Sequence, residues 1–119
     1  MVRFRRYEYL IKKFRIQNYQ NQRSPLHFIA EDGDFELYKL VEKKFIDKNP
    51  KCSVGITPLF LATQFKHTEI SELILGRLQN KNPTTQNGVT PLHNAASNGD
   101  LNIFRLIFDF IKVRHNQMV

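Results

Sequence analysis

Apolar residues recur along this chain at intervals of 33 positions, and within each interval they have the spacing of one helical face. Leu37, Ile70 and Ile103 are equivalent in this register. Two further sets follow three and four positions later, namely Leu40, Leu73 and Leu106, and Val41, Ile74 and Ile107. Because residues three and four apart lie on the same side of a helix, the pattern predicts one amphipathic helix in each interval.

A recurring tetrad predicts a second, shorter helix upstream of each of these. The sequence reads SPLH at residues 24–27, TPLF at 57–60 and TPLH at 90–93. A Ser or Thr hydroxyl at the first position can accept a hydrogen bond from a free backbone N–H of the first turn. Proline suits the next position, because its missing N–H has no partner there in any case. Each tetrad therefore predicts the start of a helix.

Glycines mark the turn between the two helices of an interval. Gly33 and Gly99 are equivalent, and each is predicted to end the first helix in a left-handed turn. The second helices are predicted to begin near Phe35, Thr68 and Leu101. Lys66 takes the glycine position in the middle interval, where a residue with a Cβ costs about 1 kcal/mol. We therefore expect local strain in the middle unit.

The period and the T-P-L-H-x-A pattern resemble those of ankyrin repeats. Ala62 and Ala95 supply the small residue of that pattern, and the resemblance covers about residues 21–119 without an insertion. It implies an all-α fold, an ankyrin-repeat solenoid of stacked helix-turn-helix units joined by short hairpin loops. The implied repeats are residues 21–53, 54–86 and 87–119. The tetrad histidines, His27 and His93, are implied to form hydrogen bonds that fix the turns.

Two departures from the family pattern predict irregular connections. Gln22 stands where Gly55 and Gly88 stand in the later repeats, so the first connecting turn is expected to be irregular or absent. Phe45 and Leu78 replace the glycine that usually follows the second helix. Without that glycine, those two second helices are expected to run about one turn further.

Composition agrees with a single domain. The chain has 119 residues and 41% apolar content, which is enough for one core. No apolar run has the length of a transmembrane helix, and Met1 is followed by arginines rather than by a secretory signal. Cys52 is the only cysteine and is expected to be partly exposed, so no intramolecular disulfide can form. We therefore expect an intracellular protein, cytoplasmic or nuclear.

Positive charge is concentrated at the N-terminus. The net charge is +7, and residues 1–20 contribute six basic side chains against Glu8 alone. Apolar residues in this segment lie at helical spacing, which predicts a basic amphipathic helix. We favour a degenerate half-repeat that caps the stack, because residues 9–14 resemble residues 40–45. Binding to an anionic membrane surface, binding to nucleic acid and nuclear localisation through residues 3–6 remain alternatives.

The sequence offers no group of residues suited to catalysis. His27 and His93 belong to the tetrads, and neither His67 nor His115 has Cys, Asp or Glu neighbours at metal-ligand spacing. No G-x-S-x-G elbow or phosphate-binding glycine loop is present, and Cys52 has no evident base. We therefore expect no enzyme activity, no catalytic residue, no cofactor and no metal.

The resemblance instead implies a scaffold or adaptor that binds another protein through its loop tips and first helices. The positions that match this surface are Arg23, Glu31, Asp32, Val54, Ile56, Gln64, Phe65, Asn87, Val89, Ser97 and Asn98. Ile56, Phe65 and Val89 are apolar where solvent favours polar residues, so they are expected either to form a hydrophobic strip or to pack against a neighbouring turn. In the alternative function, the basic N-terminal helix binds anionic lipid or nucleic acid and the repeats support it.

The last predicted helix is a second candidate surface. Its apolar residues surround much of the helix: Ile103, Phe104, Leu106, Ile107, Phe108, Phe110 and Ile111. A terminal helix of a repeat stack usually has a polar outer face. This pattern therefore indicates further repeats in a longer array, self-association or a docked partner, through Phe104, Phe108 and Ile111.

Overall fold

The computed structural model describes residue 8 and residues 22–78 and 88–118, with side chains described as far as Lys112. Within these segments six helices and no strands are found. They are Pro25–Asp32 (α1), Phe35–Glu42 (α2), Pro58–Gln64 (α3), Thr68–Arg77 (α4), Pro91–Asn98 (α5) and Leu101–Met118 (α6). The predicted helix starts are confirmed. The basic helix predicted over residues 1–20 lies, apart from Glu8, outside the described residues.

The expected hydroxyl caps begin α3 and α5, whereas at the start of α1 the His27 N–H donates to the Ser24 carbonyl at 3.1 Å and the Ser24 side chain makes no capping bond. Thr57 Oγ1 accepts a hydrogen bond from the Phe60 backbone N–H at 3.2 Å, and Thr90 Oγ1 accepts one from the His93 N–H at 3.1 Å. At the first tetrad the backbone N–H of Ser24 donates to His27 Nδ1 at 3.0 Å. Each cap gives a partner to a polar group that a helix end otherwise leaves unpaired.

The turns inside the helix pairs use the left-handed backbone conformation. The φ angles are 88° at Gly33 and 69° at Gly99, and Lys66 adopts 64° at the equivalent position. The prediction that Lys66 occupies a glycine position is therefore confirmed. Lysine in this conformation has a steric cost that glycine does not have.

Replacing Lys66 with glycine is expected to stabilise the protein by about 1 kcal/mol, which corresponds to a rise of roughly 4 °C in Tm. The measurement is thermal unfolding monitored by circular dichroism. The control is Lys43→Gly, because Lys43 has a φ of −61° and gains nothing from glycine. A Tm for Lys66→Gly at or below that of the wild type would contradict the prediction.

Gln22 has a φ of 55°, the left-handed conformation also found at Gly55 and Gly88, while the residues that precede it in the first connecting turn lie outside the described residues. The prediction that the second helices run one turn further is wrong, because α2 ends at Glu42 and α4 ends at Arg77.

The end of α2 is fixed by hydrogen bonds from the segment that follows the helix. The Lys48 ammonium donates to the Glu42 carbonyl at 2.7 Å, and the Phe45 N–H donates to the same oxygen at 3.1 Å. Phe45 and Leu78 then pack against the core. Burial of these apolar side chains favours a chain that leaves the helix early.

The helices form two rows with the core between them. In one row α1 contacts α3 and α3 contacts α5, while α4 contacts both α2 and α6 in the other. Alanines at Ala30, Ala62 and Ala95 are fully buried, which allows the helices of the first row to lie close together. The described helices therefore stack as three helix pairs, in agreement with the predicted helical solenoid.

Candidate functional site

A buried histidine joins the first helix pair to the loop of the second. The Ser24 N–H donates to His27 Nδ1, so the ring proton is on Nε2, which donates to the Ile56 carbonyl at 2.9 Å. The His27 side chain is fully buried. The hydrogen bond implied for this histidine is confirmed, and it spans two units of the stack.

Burial lowers the pKa of His27 below its usual value, and the nearby positive charge of Arg23 lowers it further. The hydrogen bond to Ile56 acts in the opposite direction without cancelling the effect of burial. His27 is therefore held neutral in the folded protein over a range of pH in which an unfolded histidine gains a proton.

Stability is expected to fall on acidification below about pH 6.5, the unfolded pKa of histidine. Above that pH both states are neutral at His27, whereas below it the unfolded state binds the proton first, until the lower folded pKa is passed. The slope approaches about 1.4 kcal/mol per pH unit within this window. Urea unfolding between pH 7.5 and 4.5 measures it. His27→Gln should flatten this part of the profile, and a His27→Gln profile as steep as that of the wild type would contradict the prediction.

A second set of hydrogen bonds between the helix pairs was not predicted from the sequence. His67 Nε2 lies 3.0 Å from the Glu31 carbonyl oxygen, and Asn94 Nδ2 donates to Thr63 Oγ1 at 3.0 Å. Asn98 Nδ2 donates to the carbonyl of Gln64 at 3.3 Å. These bonds fix the relative positions of α1, α3 and α5, whose C-terminal ends carry five of the eleven predicted surface residues, Glu31, Asp32, Gln64, Ser97 and Asn98.

The sequence contains one signal that His67 has a role different from that of its equivalents. It aligns with Asp34 and Asp100, whose carboxylates each cap a second helix by accepting a backbone N–H. His67 occupies the same N-cap position but makes no side-chain capping bond. The sequence signal is therefore a histidine at a position where the other two repeats have a capping aspartate. It indicates that this side chain forms a contact other than the cap.

The hairpin loop between the first two helix pairs presents Val54 at its tip. The Gly55 N–H donates to the Cys52 carbonyl and the Cys52 N–H donates to the Ile56 carbonyl, both at 2.9 Å. Val54 is exposed between these bonds, whereas Ile56 is partly buried against the core. Of the two outcomes expected for Ile56, an exposed hydrophobic strip or packing against its surroundings, the structure therefore shows packing.

The expectation of a partly exposed Cys52 is also wrong, because only 6% of the residue is exposed. Both of its backbone groups are used to close the turn. The thiol is free and buried, and it is the only cysteine of the chain.

Phe65 is the principal exposed apolar residue of the predicted surface. It follows α3 directly and is 47% exposed, next to the exposed Gln64. On the neighbouring helix of the same row, Ser97 is exposed and Asn98 is partly buried. Val89 is partly buried, and Asn87 lies outside the described residues. The hydrophobic part of the surface is thus carried by Phe65, with Val54 on the loop.

An ion pair joins Arg23, which precedes the first helix of the same row, to Glu31 on that helix. Arg23 Nη1 is 2.9 Å from Glu31 Oε2, and the Arg23 guanidinium lies 5.8 Å from the centre of the Phe28 ring. Asp32 follows Glu31 at the end of α1 and is partly buried. Because Arg23 is held by both contacts, it presents a fixed charge rather than a mobile one.

The described residues contain no cluster of three His, Cys, Asp or Glu side chains that could hold a metal ion. None of the described helices has the length and apolar character required to cross a bilayer.

Comparison with known families gives one result. A model of ankyrin repeats, three copies in length, matches residues 5–84 and residues 26–118. The first match begins upstream of the first tetrad, within the segment interpreted as a degenerate half-repeat. No curated protein matches the sequence significantly.

Proposed function

The chain belongs to the ankyrin-repeat family, whose repeats are generally protein–protein interaction modules without catalytic activity, and we propose that it binds a partner protein through Val54, Gln64, Phe65 and Ser97. The proposed surface also includes the neighbouring candidate residues Arg23, Glu31, Asp32 and Asn98. The observation that carries the proposal is the exposure of Phe65, a large apolar side chain, at 47%.

The chemistry of this surface favours a partner with an apolar anchor. Phe65 and Val54 are exposed apolar groups, and the surrounding candidate positions are polar or charged. An apolar centre with a polar rim is the usual composition of a protein interface, in which a few anchors provide most of the affinity. The cross-pair hydrogen bonds of His67, Asn94 and Asn98 hold the helices in place before binding, which reduces the ordering cost of association.

We propose a scaffold or adaptor role in a reducing compartment, cytoplasm or nucleus. Cys52 is the only cysteine and is a buried free thiol, which suits a compartment without disulfide formation.

The test compares partners captured from cell lysate by the wild type, by a Val54→Ala/Phe65→Ala variant and by Leu40→Ala. Leu40 is a matched control, because it is 53% exposed on α2 in the other row. The proposal expects proteins that are retained by the wild type and the control but lost by the double variant, each then confirmed with purified partner at a Kd at least about tenfold weaker for the variant.

The same experiment at two salt concentrations tests the alternative function. Binding to phosphates weakens steeply as salt rises, because it depends on counterion release. If capture survives the double variant but is lost at high salt and on deletion of residues 1–20, the basic segment is the functional element and the proposed surface is wrong.

A further inference from the structure

The last helix pair leaves exposed a position that the first two pairs bury. Phe108 on α6 aligns with Glu42 on α2 and Leu75 on α4 in the 33-residue register. Glu42 and Leu75 are buried, and Arg77 of the following pair reaches the Glu42 carboxylate at 3.1 Å. Phe108 is 50% exposed. Phe108 is therefore an exposed aromatic side chain at a position that is buried in the first two helix pairs.

The first helix of the last pair shows the same difference. His93 aligns with the fully buried His27 but is exposed, and among the described residues its Nε2 has no hydrogen-bond partner. Ala96 aligns with Ala30 and Thr63, which are fully buried, and is exposed as well. The uncovered surface thus continues the interface that joins the helix pairs to one another.

The apolar residues of this face lie at the spacing of a helix-docking seam. Leu101, Phe104, Phe108 and Ile111 are separated by three, four and three positions, which is the a and d spacing of a heptad. All four are exposed or partly buried, whereas Ile103 and Ile107 of the same helix are fully buried. The rings of Phe104 and Phe108 stack with centroids 6.3 Å apart. Helix α6 therefore has a core face and a second apolar seam.

Helix α6 is longer than the equivalent helix of the middle pair. Phe110 aligns with Arg77, where α4 ends, yet α6 continues as a helix to Met118. The seam therefore lies along a helix that extends beyond the equivalent end of α4.

The charges beside the seam select the kind of occupant. Arg105 and Lys112 are exposed at the e positions of the heptad, directly next to the seam, and Asp109 lies one position further from it. An antiparallel pair of two copies would place these e positions against each other, which brings like charges together. A helix with acidic residues at its edge would instead meet opposite charges.

We propose that the seam of Leu101, Phe104, Phe108 and Ile111 docks an amphipathic helix of a partner protein, with apolar residues at heptad spacing and acidic residues along its edge. This surface is separate from the one centred on Phe65. The partner helix lies along α6 as α6 lies along α4, and it covers Phe108.

The probe is a synthetic helix of about three heptads with leucine at a and d and glutamate at e and g, verified as monomeric at the concentration used. A second peptide has lysine in place of glutamate, and a third has the glutamate composition in scrambled order. Binding to the 119-residue chain is measured by fluorescence anisotropy. The glutamate peptide is expected to bind at least about tenfold more tightly than either of the others.

Two pairs of variants locate the binding. Phe108→Ala is expected to weaken the glutamate peptide about tenfold or more, whereas Leu40→Ala, at a similarly exposed position, should leave it unchanged. The double variant Arg105→Glu/Lys112→Glu should reverse the preference toward the lysine peptide. Lys43→Glu/Lys44→Glu changes the net charge equally at exposed positions after α2, and should not reverse it.

Several results would overturn the proposal. They are equal binding of the glutamate and scrambled peptides, no effect of Phe108→Ala, or the same preference after both charge reversals. Sedimentation of the chain alone gives a further result that would overturn it. If the chain forms a dimer and Phe108→Ala dissociates that dimer, the seam is occupied by a second copy of the chain.

Discussion

Replacing Gly33 with alanine is expected to destabilise the protein by about 3 kcal/mol, while Gly99→Ala costs only about 1 kcal/mol. Both glycines have left-handed φ angles, 88° and 69°, so alanine is strained at each of them. They differ in their surroundings. A Cβ on Gly33 would lie closer than 3.0 Å to ring atoms of His67, whereas a Cβ on Gly99 would meet no described atom within 4 Å.

The larger cost at Gly33 comes from the contact between two helix pairs. To accommodate a methyl group the imidazole must move, and it then loses its bond to the Glu31 carbonyl at 3.0 Å. A lost hydrogen bond and a disturbed contact each cost about 1 kcal/mol, in addition to the backbone strain. Urea denaturation of the two variants measures the difference.

A double-mutant cycle tests that explanation. If the His67 ring is the obstacle, Gly33→Ala should cost about as little as Gly99→Ala when His67 is already alanine. Equal destabilisation by the two glycine substitutions in the wild-type background would show that the close approach of the His67 ring does not affect the free energy of unfolding.

Leu59→Ala is expected to destabilise the protein by about 3 to 4 kcal/mol, a large part of the total for a domain of this size. Leu59 is fully buried in α3, which packs against α1, α4 and α5. Truncation leaves a cavity in the middle of the stack. Since each pair in a repeat protein contacts only its neighbours, weakening the middle one disturbs both of its interfaces.

Leu92→Ala is the matched control, because Leu92 has the same place in the third tetrad but is only partly buried. Its truncation should cost about 1 to 2 kcal/mol, since less apolar surface is lost from the core. The measurement is the free energy of unfolding from chemical denaturation, with m-values compared for two-state behaviour. A cost for Leu92→Ala equal to that for Leu59→Ala would contradict the burial argument.

Features that depend on neighbouring residues in the chain were predicted well. The hydroxyl caps at Thr57 and Thr90, the starts of the second helices and the glycine position at Lys66 follow from rules that operate within one helical turn. Helix ends were predicted less well, because α2 ends where Lys48 and Phe45 bind the Glu42 carbonyl. Those contacts come from residues beyond the helix, and a pattern of apolar positions does not contain them.

The candidate surface divides in the same way. The sequence left two outcomes open for Phe65, an exposed strip or packing against a neighbouring turn, and the structure has it exposed. Ile56 had the same sequence signal, yet its hairpin directs it against the core. The roles of His67 and Asn94 depend on how one helix pair lies on the next, which becomes known only when the pairs are assembled.

The hydrogen bonds between helix pairs have a consequence for how this sequence can diverge. His27, His67, Asn94 and Asn98 each bond to a main-chain carbonyl of an adjacent pair, at Ile56, Glu31, Phe60 and Gln64 respectively. A carbonyl is present whatever the side chain, so the accepting residue can mutate without breaking the bond. For these four bonds only the donor is constrained, whereas the bonds from Asn94 to the Thr63 hydroxyl and from Arg77 to the Glu42 carboxylate constrain both partners. The accepting positions of the four bonds can therefore change over evolutionary time, which leaves outward-facing side chains such as those of Glu31 and Gln64 open to selection for new ligands.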